Sequence, residues 1–257
     1  MVLEAWRRWR DRRTLERRPI PDALWHTTLA RFPFLAALSA DDAHQLREMS
    51  TLFLARKEFS GAQGLEVTDD MAVAVAAQAC LPVLRLGLDW YDSFVGIVVH
   101  AGEVIARREV MDEDGVVHHY DEPLSGEAME GGPVTLSWQD VAEAGNTAEW
   151  GYNVVIHEFA HVLDMRDGEA DGVPPLQSRA AQAEWQAVFA SAYEAFCAEV
   201  DAGVDTWLDP YGAEAPSEFF AVACEAFFVS PLDLQADHAE VYALLAGFFQ
   251  QDPAARV

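Results

Sequence analysis

The segment NVVIHEFAHVLDM, residues 153–165, sets two histidines and a glutamate into an otherwise apolar stretch. His157 and His161 are four residues apart, so in a helix their imidazoles lie on one face. Two nitrogens placed in this way can bind one Zn²⁺ at about 2.0–2.1 Å. Glu158 lies beside such a metal and is suited to take a proton from the water that the metal activates. This HExxH arrangement predicts a hydrolytic metal site, because burying three such groups without partners would be costly.

A hydrolytic zinc site usually takes three protein ligands and leaves one position open for water. Asp167 lies at the offset of the third ligand in metzincins, but those enzymes need a glycine where this chain has Asp164. The alternative is a glutamate from a later helix, as in gluzincins. Glu218 and Glu225 lie seven residues apart on one face of the predicted helix Pro216–Val229. The pattern favours that helix, with a metal ligand and a residue that supports a ligand.

The elements that must position these side chains begin with a mainly helical N-terminal part, residues 1–88. Ser39 and Thr68 each precede an acidic first turn and a periodic apolar run, so both are predicted to be helix N-caps. Pro82 is predicted to end the second of these helices, because proline cannot continue the backbone hydrogen bonds of a helix.

Strands are predicted in residues 83–110, where β-branched and partly alternating residues replace the helical pattern. The acidic and glycine-rich residues 112–133 predict turns and a loop around a short strand. Val134–Trp138 is predicted to be another short strand, at an edge where an extended peptide could pair with the sheet.

The chain from about residue 150 onward is predicted to be helical, except for the irregular residues 168–178. Together the patterns predict one α+β domain over residues 1–257. Residues 89–257 of this domain would supply a small sheet, the HExxH helix and the second metal-binding helix.

Acidic residues dominate the charge of the chain, with 43 of them against 17 basic residues and a formal net charge of −26. Nucleic acids and anionic membranes attract a positive field, so neither is an expected direct partner. Residues 1–18 are the exception, since they hold seven arginines and three acidic residues. We expect a basic first helix that pairs with the acidic body or docks a partner.

Three cysteines, Cys80, Cys197 and Cys224, are far apart and odd in number, which predicts core residues in a reducing compartment. The most apolar window, Met71–Leu81, is much shorter than the roughly 20 residues that a membrane-spanning helix needs. The basic start is not followed by the apolar stretch of a secretory signal. These features predict a soluble, cytoplasmic protein.

Several longer segments are more specific than the HExxH spacing alone. They are HEFAHVLDM at 157–165 with DGVPPL shortly after it, PSEFFAVACEAFF at 216–228, LSGEAMEGGPVTLSWQDV at 124–141 and AAQACLPVL at 76–84. In combination they resemble the Mlc titration factor A family of bacterial zinc peptidases, whose catalytic domain is related to that of anthrax lethal factor. The resemblance runs through most of the chain and implies a zincin-like fold of the gluzincin type.

The resemblance also implies a role for each site residue. His157, His161 and Glu218 would hold one Zn²⁺ per chain, and Glu158 would be the catalytic base. Tyr211, seven residues before Glu218, would point at the metal, where a phenol can donate a hydrogen bond to the oxyanion. The expected activity is that of a zinc metallopeptidase acting on a peptide or protein substrate, aminopeptidase-like by this resemblance.

A member of this family binds the repressor Mlc, so the resemblance implies a possible transcription-repressor partner as well. The alternative function is therefore a non-catalytic regulatory protein that sequesters a transcription regulator. The intact HExxH motif, Glu218 and Tyr211 favour the enzyme, since binding alone would not need Glu158.

Two further features are weaker signals. His118 and His119 lie in an acidic segment and could bind a second metal, although an exposed pair is the more common outcome. Asp164, three residues after His161, could accept a hydrogen bond from a ligand imidazole or lie at the surface.

Overall fold

Helices form most of the structure and surround a small sheet. The computed structural model describes residues 2–102, 104–111 and 117–256, with side chains for residues 5–102 and 125–256. The helices are α1 (Val2–Arg17), α2 (Asp22–Arg31), α3 (Pro33–Ala36), α4 (Ala40–Arg56), α5 (Asp69–Cys80), α6 (Trp138–Thr147), α7 (Val154–Asp164), α8 (Arg179–Asp201), α9 (Pro216–Val229), α10 (Pro231–Asp237) and α11 (Ala239–Phe249). The strands are β1 (Glu58–Gly61), β2 (Gly96–His100), β3 (Val104–Met111), β4 (Val117–Leu124), β5 (Gly126–Ala128) and β6 (Val134–Ser137). The predicted α+β class is confirmed.

The N-terminal part is helical as predicted, with both proposed caps in place. The Ser39 hydroxyl accepts a hydrogen bond from the backbone N of Asp42 at 3.2 Å, and that of Thr68 accepts one from Met71 at 3.3 Å. Helix α5 ends at Cys80, two residues before Pro82. The short strand β1 was not predicted, because a four-residue strand is stabilised by its pairing with β2 rather than by its own sequence.

The prediction of a strand in residues 83–88 is wrong. Val83 and Leu84 are buried in a series of turns that follows Pro82, and the carbonyl of Val83 accepts a hydrogen bond from the backbone N of Gly87 at 2.7 Å. Gly87 has a φ of +93°, a left-handed conformation that glycine adopts without strain. The apolar residues of these turns are part of the hydrophobic core. A short apolar run in the sequence does not distinguish such a turn from a buried strand.

The main sheet has the strand order β1-β2-β6-β5. Strands β1, β2 and β6 are parallel, and β5 runs antiparallel to β6. Strands β3 and β4 form a separate antiparallel hairpin. Two of the strands predicted within residues 83–110 therefore exist, as β2 and β3, but they belong to different sheets.

The prediction that Val134–Trp138 is an edge strand is wrong. Strand β6 pairs with β2 on one side and β5 on the other, and Trp138 already belongs to helix α6. Val134 and Leu136 are buried, as expected for an interior strand. The edge strand on this side of the sheet is β5, whose three residues lie in the segment predicted to be mainly loop.

Helices α7 and α9 pack against each other in the centre of the molecule. Phe159 on α7 and Phe219 and Phe227 on α9 are completely buried. Each such ring contributes roughly 1.5–3 kcal/mol to stability through burial, so the apolar faces hold the two helices in a fixed register. The polar side chains that these helices carry are held in register with them.

The three cysteines are free, with Cys80 and Cys224 buried and Cys197 partly buried. Among the described helices, none is both long enough and apolar enough to cross a bilayer. The first helix is basic and exposed, and Arg7 lies 3.6 Å from Asp89 of the body. That the whole chain is one domain stays a prediction.

Candidate metal centre

Helix α7 begins at an asparagine cap and carries both histidines on its apolar body. The side-chain oxygen of Asn153 accepts a hydrogen bond from the backbone N of Ile156 at 3.0 Å. One turn further on, the rings of His157 and His161 have centroids 4.9 Å apart, and their Nε2 atoms are 3.2 Å apart. The four-residue spacing therefore places both imidazoles at one point, as the sequence predicts.

Helix α9 brings a glutamate to the same point. Pro216 occupies its first turn, and Oε2 of Glu218 lies 3.1 Å from Nε2 of His157 and 3.3 Å from Nε2 of His161. Tetrahedral coordination at about 2.0–2.1 Å would separate ligand atoms by about 3.3 Å, so the three separations fit a single Zn²⁺. Among the side chains described, these three residues are the only group of this kind that could hold a metal ion.

Asp167, the alternative third ligand, is exposed beyond the end of α7 and is not part of this group. Asp164 is completely buried, but its described hydrogen bond is accepted from the backbone N of Gly172 at 2.8 Å rather than from an imidazole. The side chains of His118 and His119 lie outside the described residues.

Glu225 contacts the other side of one imidazole. Its Oε1 lies 2.8 Å from Nδ1 of His157, and its Oε2 accepts a hydrogen bond from the backbone N of Asn153. A carboxylate at Nδ1 favours the tautomer with the proton there, so Nε2 keeps a lone pair for a metal. Glu218 and Glu225 thus contact the two ring nitrogens of His157. That one is a metal ligand and the other supports it stays a prediction.

Opposite charges are concentrated around His157. Burial disfavours the charged imidazole, but Glu225 and Glu218 outweigh this effect and raise the pKa of His157 well above its usual value. Burial also acts to raise the pKa of Glu218, yet His157 and His161 lower it to about 2. The group is therefore suited to a divalent cation, which would take the place of protons on the imidazoles.

Glu158 is buried beside this group, under the edge strand β5. Burial raises the pKa of Glu158 to about 7, although His157 and His161 act to lower it. A Cβ atom added to Gly126 would lie 2.5 Å from Oε1 of Glu158, so only glycine leaves room for this carboxylate. A carboxyl group with a pKa near neutrality can both take up and release a proton during turnover.

An open cleft of about 250 Å³ leads to the site and is lined in part by Ser125, Tyr152, Asp209 and Tyr211. Tyr211 is 37% exposed, and the centroid of its ring lies 6.1 Å from that of His157. It is held in a short turn, where the carboxylate of Asp209 accepts a hydrogen bond from the backbone N of Tyr211 at 2.9 Å. Burial raises the pKa of the Tyr152 phenol, so this group stays a hydrogen-bond donor.

Several residues around the site were missed by the sequence analysis. Asn153 could have been recognised, since asparagine directly before an apolar helix is a common N-cap. Gly126 and Tyr152 could not, because their importance depends on how β5 and the start of α7 meet in space.

Comparisons with known proteins agree with this geometry. The chain is 37% identical over 251 residues to an uncharacterised protein of Synechocystis sp., covering 96% of this chain and 90% of that protein. It is 36% identical over 238 residues to the Mlc titration factor A proteins of Yersinia pestis and Yersinia pseudotuberculosis, covering 91% of this chain and 87% of each relative. Residues 6–250 match the family described as glucose-regulated metallo-peptidase M90. The chain belongs to this metallopeptidase family, which confirms the resemblance found from its motifs.

Proposed function

We propose that this protein is a zinc-dependent metallopeptidase of the gluzincin type, with a zincin-like catalytic domain and one Zn²⁺ per chain. The observation that carries the proposal is the convergence of His157, His161 and Glu218 within metal-binding distance, with Glu158 buried beside them. Membership of a metallopeptidase family supports the same reaction class.

The proposed roles follow from position and chemistry. A bound Zn²⁺ would polarise the scissile carbonyl and lower the pKa of the attacking water. Glu158 takes the proton of that water and passes it to the leaving amine, which suits a carboxyl group with a pKa of about 7. Tyr211 donates a hydrogen bond to the oxyanion from the side of the cleft. Glu225 holds the ring of His157 in its metal-binding orientation.

We further propose aminopeptidase-like action on short peptides. The cleft is small, and the exposed carboxylate of Asp209 lies on its wall, where the free α-ammonium of a substrate can pair with it. Asp209→Asn keeps an acceptor for the backbone N of Tyr211 and removes the charge. We expect a raised KM for aminoacyl anilides, with no change for an N-blocked peptide. An unchanged KM for both would contradict this role.

The three free cysteines support a cytoplasmic location, where thiols stay reduced. The relatives from both Yersinia species carry the name Mlc titration factor A, which favours a second function, the binding of a transcription repressor of the Mlc type. Such binding could accompany catalysis or replace it.

The test is hydrolysis of aminoacyl and peptide anilides by the purified protein, with and without a chelator. We expect activity that the chelator removes and that added zinc restores. Absence of turnover on every substrate, together with tight binding of a repressor, would support the non-catalytic alternative.

A further inference from the structure

A network of hydrogen bonds between buried polar groups connects helix α5 with the candidate metal centre. Gln78 on α5 and Asn153 at the start of α7 are completely buried, and Glu225 on α9 is nearly so. The side-chain oxygen of Gln78 accepts a hydrogen bond from Nδ2 of Asn153 at 2.8 Å. The backbone N of Asn153 donates to Glu225, whose other oxygen lies 2.8 Å from Nδ1 of His157.

The orientations of the two side-chain amides in this network are each fixed by two hydrogen bonds. Nε2 of Gln78 donates to the carbonyl of Ala74 at 3.1 Å, so its oxygen must face Asn153. The oxygen of Asn153 accepts from the backbone N of Ile156, so its Nδ2 must face Gln78. These hydrogen bonds lie in the interior, where an unmade hydrogen bond is costly. The network therefore has one low-energy arrangement.

We propose that Gln78 and Asn153 are positioning residues for the metal centre. They fix the backbone N of residue 153 and with it the carboxylate of Glu225, which sets the ring of His157 before a metal binds. This inference rests on the proposed metal site and extends it to α5, in the N-terminal part of the chain.

The test is Gln78→Met, which keeps the approximate volume and removes both side-chain hydrogen bonds. Gln251→Met is the matched control, because Gln251 is also buried but lies outside the network that reaches His157. Its side chain donates to the carbonyls of Leu81 and Pro82. Zn²⁺ affinity would be measured by competition with a chromophoric chelator. The visible spectrum of the Co²⁺ form would report ligand geometry, and thermal unfolding would report the stability of the metal-free protein.

We expect both variants to lower the unfolding temperature of the metal-free protein. Only Gln78→Met should weaken Zn²⁺ binding, by about tenfold, and alter the Co²⁺ spectrum. Unchanged affinity and spectrum in Gln78→Met, or an equal loss in Gln251→Met, would overturn the inference.

If Gln78→Met does not fold, Asn153→Ser provides the same test, since serine keeps an N-cap acceptor but lacks the amide group whose Nδ2 donates to Gln78. It should also weaken Zn²⁺ binding, and unchanged affinity would overturn the inference. Failure of the wild-type protein to bind one Zn²⁺ would instead contradict the proposed function itself.

Discussion

Helix α1 and the helix pair α7/α9 both carry ionisable residues, but these residues are exposed on α1 and largely buried on α7 and α9. On α1, arginines such as Arg12 and Arg13 are exposed to solvent. On α7 and α9, His161, Glu158 and Glu225 are buried, and the polar contacts of the group converge on His157.

This difference in burial determines how strongly each charged group interacts with its neighbours. A solvated arginine interacts weakly with its neighbours, because water and salt screen it. A buried carboxylate or imidazole loses its hydration and depends on its partners for stability. We therefore expect substitutions in α7 and α9 to change metal binding and catalysis, and substitutions on the outer face of α1 to change little.

The largest effect should come from Glu218→Ala, which removes a proposed ligand and leaves two imidazoles facing each other in the interior. We expect loss of stoichiometric zinc, measured by elemental analysis after dialysis against buffered zinc. Asp167→Ala is the matched variant, since Asp167 is the alternative ligand, and it should keep one Zn²⁺ per chain. Loss of zinc in Asp167→Ala alone would reverse the assignment.

A smaller effect is expected from Gly126→Ala. The added methyl group would collide with the carboxylate of Glu158 but leave the proposed ligands untouched. We expect kcat to fall by roughly ten- to a hundredfold, as for a misplaced catalytic group, with zinc content unchanged. Gly247→Ala on α11 is the control, because its added Cβ meets no atom within 4 Å. Equal activity of the two variants would show that the contact between β5 and Glu158 does not matter.

The smallest effect should come from the double variant Arg12→Gln and Arg13→Gln on α1. Both side chains are exposed, so we expect stability to change by no more than about 0.5 kcal/mol in denaturant unfolding. Zinc affinity and anilide hydrolysis should stay at the wild-type level. A marked loss of either would mean that α1 contributes to the site.

The sequence predicts those features of the structure that depend on neighbouring residues. The four-residue spacing of His157 and His161 and the limits of helix α9 follow from helix geometry and from Pro216, and both could be predicted. The position of Val134–Ser137 inside the sheet could not, because pairing on two sides depends on distant strands. The link from Gln78 to Glu225 joins three helices and leaves no periodic trace in the sequence.

The most direct test of the central claim is Glu158→Gln, assayed for zinc content and anilide hydrolysis in the same preparation. Glutamine keeps the size of the side chain and the proposed ligands but cannot act as a base. The account predicts one Zn²⁺ per chain and loss of hydrolysis. Full hydrolysis by the zinc-loaded variant would contradict it.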